Sequence, residues 1–105
     1  MRVSMDADLY KLYTTSDNRK YKEICKNKEL LSGFFRAVNA MMAAKDTNEL
    51  KNISYLHYEQ LRYQYSGLSS VRLSNRYVHR LIFMENNDEL TLQLLEIDNT
   101  HYGNK

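Results

Sequence analysis

The hydrophobic period of this chain changes once, and that change limits the folds open to it. From Tyr21 through Ile24, Leu31, Phe35, Val38 and Met42, apolar residues recur at three- to four-residue steps, with Phe34 and Met41 widening the stripe. That is the spacing of one buried helix face. From about residue 68 the period falls to two. In "YSGLSSVRLS", Val71 and Leu73 alternate with Ser70, Arg72 and Ser74, as side chains do on a strand. A helical middle followed by consecutive strands on short turns predicts the α+β class.

The punctuation refines this. "DADLYKLYTT" (6–15) reads as a first strand carrying Leu9 and Tyr13, and Asp17 and Asn18 are placed to start a helix. The stripe that follows is one long helix or two consecutive ones, with the break near Lys28 or Gly33. Asp46 and Glu49 have capping-box spacing for a short helical turn, "DTNELKN". After the first strand of the alternating region comes a tight turn at Ser74–Asn75, then "YVHRLIFME", then a hairpin turn at "NND" (86–88). "ELTLQLLEID" is the last strand. Its Leu94–Leu95 pair breaks the alternation and predicts a bulge or a strand buried on both faces. The chain has 105 residues, no proline and only three glycines, and 43% of it is apolar. Those values fit a single domain, 1–105, with one modest core and few designed breaks.

Several function classes drop out. A lone cysteine, Cys25, excludes an internal disulfide framework and any multi-cysteine metal site, and a buried inert thiol is its commoner use. His57, His79 and His101 lack ligand spacing, so no metal and no cofactor are expected. There is no phosphate loop, dinucleotide fingerprint or nucleophile elbow. "MRVSMDADLY" lacks the apolar core of a signal peptide, and no stretch is apolar enough to span a bilayer, so a cytoplasmic setting without membrane contact is expected.

The charge is small overall, +2, but unevenly spread. Residues 59–82 hold Arg62, Arg72, Arg76 and Arg80 against Glu59 alone, and residues 83–105 hold five acidic residues against Lys105. Arginine is favoured where planar, bidentate contact with phosphate or carboxylate matters. Nine tyrosines is a high count for this length and suits a surface that meets another macromolecule. Taken singly, each of these residues has a bland use. An arginine snorkels over the sheet or pairs with a carboxylate such as Glu96, and a terminal histidine is a tail. Taken together, an upstream carboxylate, two strand-borne arginines and the closing His101–Tyr102 supply the groups that break an RNA phosphodiester without metal. One group removes the 2′-hydroxyl proton, cations hold the pentavalent phosphate, and another group protonates the 5′-oxygen.

The order of these residues resembles a known family. "YEQLRYQYSGLSSVRLSNRYVHRLIF" (58–83), followed later by "HYG", is similar to the RelE-superfamily toxins of bacterial type II toxin–antitoxin systems, nearest the YoeB/Txe branch with HigB-like features. The matching elements are Glu59, Leu61 with Arg62, Ser66–Gly67, Ser70 and Arg72, "HRLIF" from His79, and His101–Tyr102.

The resemblance implies a RelE-like fold: one N-terminal strand, helices, then a three-stranded antiparallel meander with the helices on one sheet face. It implies a ribosome-dependent mRNA endoribonuclease, with Glu59 as general base, His101 as general acid, Arg72 on the scissile phosphate and Tyr102 stacked on a base. Arg62, Arg76 and Arg80 would contact the RNA. The implied partners are a cognate antitoxin, the ribosome and its mRNA, operator DNA through the antitoxin, and a second copy in a homodimer. The alternatives are a non-enzymatic toxin of the same fold that binds a protein such as gyrase, and a degenerate member whose ligand is an antitoxin. Glu59 and His101 together argue against the first, since a pure binder needs neither, and the low net charge of +2 modestly favours the second.

Overall fold

The structure, a computed structural model, describes residues 1–62, 66–86 and 88–99. In chain order these form β1 (Arg2–Met5), α1 (Ala7–Thr15), α2 (Lys22–Lys26), α3 (Lys28–Ala43), α4 (Thr47–Lys51), a 3₁₀ turn (Ser54–Leu56), β2 (Glu59–Gln60), β3 (Leu68–Arg72), β4 (Arg80–Asn86) and β5 (Thr91–Asp98). The strands make one sheet in the order β1-β5-β4-β3-β2, parallel only between β1 and β5. The expected meander is β3-β4-β5, and β1 and the two-residue β2 extend it at either edge.

One sheet face is covered. Val71, Leu73, Leu81, Phe83, Leu92, Leu94 and Ile97 from the strands pack on Leu9, Leu12, Leu30, Phe34, Ala37, Val38 and Met41 from the helices. The N-terminal strand lies earlier than the sequence suggested, at residues 2–5, and residues 7–15 are helical. Leu9, Leu12 and half-buried Tyr13 share one helix face. Asp6 caps that helix by accepting the Asp8 N–H, and left-handed Ser16 ends it.

Asn18 does not open a helix. Its side chain accepts the Lys20 N–H and donates to Asp8, and α2 begins only at Lys22. The break falls at Asn27, beside Lys28, where Oδ1 accepts the N–H groups of Glu29 and Leu30 at 3.0 and 3.2 Å. That break resets the phase of the stripe. Leu30, Phe34, Ala37, Val38 and Met41 face the core, Leu31 and Phe35 sit at its margin, and Met42 is exposed. Cys25 is half-buried rather than buried, its Sγ 3.8 Å from the Asn18 carbonyl. Gly33 breaks nothing. A Cβ there would lie 1.8 Å from the Leu73 carbonyl oxygen, so the glycine is where α3 meets the end of β3.

The Asp46–Glu49 spacing does what it promised. Asp46 accepts the Glu49 N–H at 3.1 Å, and the Glu49 carboxylate accepts the Lys45 N–H at 2.9 Å, opening α4. The turn expected at Ser74–Asn75 is wider, because β4 starts at Arg80 and Leu73 N–H reaches the His79 carbonyl at 3.3 Å.

Candidate active site

The face opposite the helices is built by register. Arg72 of β3 lies directly opposite Arg80 of β4, which lies opposite Asp98 of β5. One step along, Glu59 of β2 lies opposite Ser70, Ser70 opposite Ile82, and Ile82 opposite Glu96. Directly paired side chains share a face about 4.5–5.5 Å apart. Two arginines, three carboxylates and a serine therefore converge on a patch whose floor includes Ile82, which is buried but outside the helix-covered core.

Leu95 makes the β5 half of this patch. Leu92 and Leu94 point into the core, so strict alternation would carry residues 96 and 98 there too. Phe83 pairs with Leu94 while Ile82 pairs with Glu96, and Leu95 is the extra residue between them. The bulge inverts the parity. Ile97 turns into the core, and Glu96 and Asp98 turn to the open face. The buried phenol of Tyr21 then accepts the Ile97 N–H at 3.3 Å, tying α2 to the end of β5. Burial pushes that phenol above its ordinary pKa.

The sequence singled out Glu59 and Arg80 separately, and the structure joins them. Arg80 Nη1 lies 3.0 Å from Glu59 Oε1. The two strands flank β3, so their backbones lie about 9.5 Å apart, and the long guanidinium arm spans that gap. Its side chain is 7% exposed and the Glu59 side chain 42%, so the pair has a dry end and a wet one. Arg72, half-buried, has no ion pair among the described residues.

The remaining candidates lie elsewhere. Arg62 is exposed just beyond β2. Arg76 sits on the 73–79 connection, with Nη1 3.2 Å from Glu29 Oε1 of α3, so it flanks the arginine row rather than joining it. His101 and Tyr102 lie outside the described residues. His79 is buried, with Nε2 2.9 Å from Glu23 Oε1, and it fastens the start of β4 to α2. Glu96, Asp98 and Ser70 belong to the patch without being candidate site residues in the sequence; the Leu94–Leu95 break was the sequence signal for Glu96 and Asp98. Among the described residues, no three His, Cys, Asp or Glu side chains are grouped to hold a metal ion, and no helix is long and apolar enough to cross a membrane.

Neither a family model nor a curated protein sequence matches the chain. Solved structures do. The YoeB-YefM complex from Staphylococcus aureus is similar over 97% of this chain and 98% of that one, at 14% identity and a TM-score of 0.59. The YoeB/ParE toxin from Agrobacterium tumefaciens covers 95% and 99%, at 12% identity and 0.54. The YoeB dimer from Staphylococcus aureus covers 97% and 98%, at 13% identity and 0.52. The fold expected from the resemblance, α+β and RelE-like, is the fold of this chain.

Proposed function

From the YoeB fold and the side chains on its open face, we propose that this chain is the toxin of a type II toxin–antitoxin system, and that it cleaves mRNA on the ribosome. The observation that carries the proposal is the convergence of Glu59, Arg72 and Arg80 on the sheet face away from the helices. Those residues come from three strands, and they are a carboxylate and two cations of the kind that metal-free phosphodiester cleavage requires.

In the reaction, Glu59 takes the proton of the 2′-hydroxyl, and the 2′-oxygen attacks the adjacent phosphorus. Arg72 and Arg80 hold the added negative charge of the pentavalent phosphate. His101 gives its proton to the departing 5′-oxygen. The products are a 2′,3′-cyclic phosphate and a 5′-hydroxyl. Acid and base are each worth about 10²–10⁴-fold, and preorganised cations contribute on a comparable scale. Tyr102 stacks on an unpaired base, as aromatic side chains do on single-stranded RNA. Arg62 and Arg76 contact the RNA backbone from either side of the row.

The partners follow from the same reading. They are a cognate antitoxin that covers this face, the ribosome and its mRNA, operator DNA held through the antitoxin, and a second copy of the toxin. The setting is the cytoplasm, where ribosomes are. Cleavage of mRNA on programmed ribosomes tests the reading. Glu59→Gln and His101→Ala should each slow it by at least about 10²-fold while thermal unfolding stays near wild type. Wild-type cleavage in both variants would refute the assignment. Growth arrest without cleavage would move the chain to the class of toxins that act by holding a protein.

A further inference from the structure

Three serines on or beside β3 are buried: Ser69, Ser70 and Ser74. Two of them donate to a carboxylate on a neighbouring element. Ser69 donates to Glu85, and Ser74 donates to Glu29. Ser70 differs. It is 1% exposed, and its Oγ has no hydrogen-bond partner among the described residues. The carboxylate opposite it is Glu59, its register partner across β2 and β3. That carboxylate is taken by Arg80 at 3.0 Å.

Buried hydroxyls without partners are uncommon and call for a cause. Here the cause is visible. One carboxylate faces two donors, and the charged donor holds it. A phosphate on the open face changes that competition. Arg80 is then drawn to the phosphate, which offers a planar fork the same bidentate fit as a carboxylate and more charge. Glu59 would be left with no partner at the moment it must accept a proton.

We propose that Ser70 is a positioning residue, which takes the Glu59 carboxylate from Arg80 when substrate phosphate arrives and holds it aimed at the 2′-hydroxyl. The proposal rests on the reading of Glu59 as the general base. The hydroxyl that is unpaired among the described residues is thus the donor reserved for the phosphate-bound protein. Glu59 is otherwise bordered by Arg72 on β3 and by Arg62 beyond its own strand, while the nearest other carboxylates of the patch, Glu96 and Asp98, lie on β5 with β3 and β4 between. None of these is its direct register partner, and Ser70 is.

The test is single-turnover cleavage of mRNA on programmed ribosomes across a pH series, beside thermal unfolding, for wild type, Ser70→Ala, Ser70→Thr and Glu59→Gln. Ser70→Ala removes a hydroxyl that bonds nothing among the described residues, so it should unfold no earlier than wild type. Its cleavage at neutral pH should fall by about tenfold, the worth of one hydrogen bond to a charged group. The acid limb of its saturated rate should move up by about one pH unit, because the lost donor favoured the ionised carboxylate. The acid limb of the subsaturating rate, which reports the free protein, should stay where it is. Ser70→Thr keeps the hydroxyl and should restore rate and profile. If Glu59→Gln abolishes cleavage while Ser70→Ala cleaves with wild-type rate and profile, Ser70 has no such role and the base assignment stands. A Ser70→Ala protein that unfolds early and shifts neither limb makes Ser70 merely structural. Wild-type cleavage by Glu59→Gln overturns the base assignment and this proposal with it.

Discussion

Replacing Gly33 with alanine should damage both the fold and the site, and the structure sets the scale. The new Cβ would sit 1.8 Å from the Leu73 carbonyl oxygen, where ordinary contact begins near 3.4 Å. The obstacle is backbone at the end of β3, which no rotamer change can clear. That carbonyl also accepts from Arg36 Nη2 at 3.4 Å, so α3 and β3 must part by roughly 1.6 Å or the helix must tilt. Overpacking of this kind costs about 1–3 kcal/mol, and more where backbone has to move. Alanine returns up to about 1 kcal/mol through its better helix propensity. A net loss near 2 kcal/mol remains, which lowers the Tm of a domain this size by about 10 °C. Circular dichroism during heating measures it. Because Arg72 immediately precedes Leu73, cleavage by the folded fraction should fall as well. A Gly33→Ala protein that melts with or above wild type would refute the close-approach argument.

Two other substitutions separate the energetics of the site from its chemistry. Arg80→Ala leaves Glu59 without its cation, but the Glu59 side chain is already 42% exposed and water can replace the guanidinium. We expect a loss of about 1–2 kcal/mol in denaturant unfolding, below the 3–5 kcal/mol of a pair broken in full burial, with cleavage reduced by about 10²-fold or more; equal effects on both would show a scaffold role only. Tyr58 donates to Glu85, and burial, reinforced by that hydrogen bond, pushes its phenol up to about 12 from 10.0. A raised pKa means stability fully present below pH 10 and lost as pH climbs toward 12. Tyr58→Phe should therefore flatten the alkaline arm of the unfolding free energy, and an unchanged arm would show that the phenol titrates as it does in the unfolded chain.

What the sequence revealed and what it hid divide along physical lines. Period-two alternation marked the meander, and the doubled Leu94–Leu95 marked the bulge that turns Glu96 and Asp98 outward, because both are local patterns. Residues 6–15 misled because Leu9 and Tyr13 satisfy a helical step as readily as a loosely patterned strand, and Leu12 decides between them only once the core is known. The stripe from Tyr21 to Met42 slipped in phase because Asn27 interrupts it with a cap, and periodicity cannot be carried through a break. Site pairings were hidden for a different reason. Glu59 and Arg80 are 21 residues apart, and His79 and Glu23 are 56 apart; only strand order and the packing of α2 on the sheet bring such residues together. Both members of the Glu59–Arg80 pair stand out in the sequence as chemistry-bearing, but that they bind each other, and so leave Ser70 without a partner among the described residues, needed the register.

The chemistry of the cut ends tests the central claim most directly. RNA fragments made on programmed ribosomes by the wild-type chain, beside Glu59→Gln, would be analysed for their new termini. The account requires 2′,3′-cyclic phosphate or 3′-phosphate on one side and 5′-hydroxyl on the other, cut within translated codons and lost in the variant. Fragments ending in 3′-hydroxyl and 5′-phosphate would contradict it, since attack by the 2′-oxygen cannot produce them.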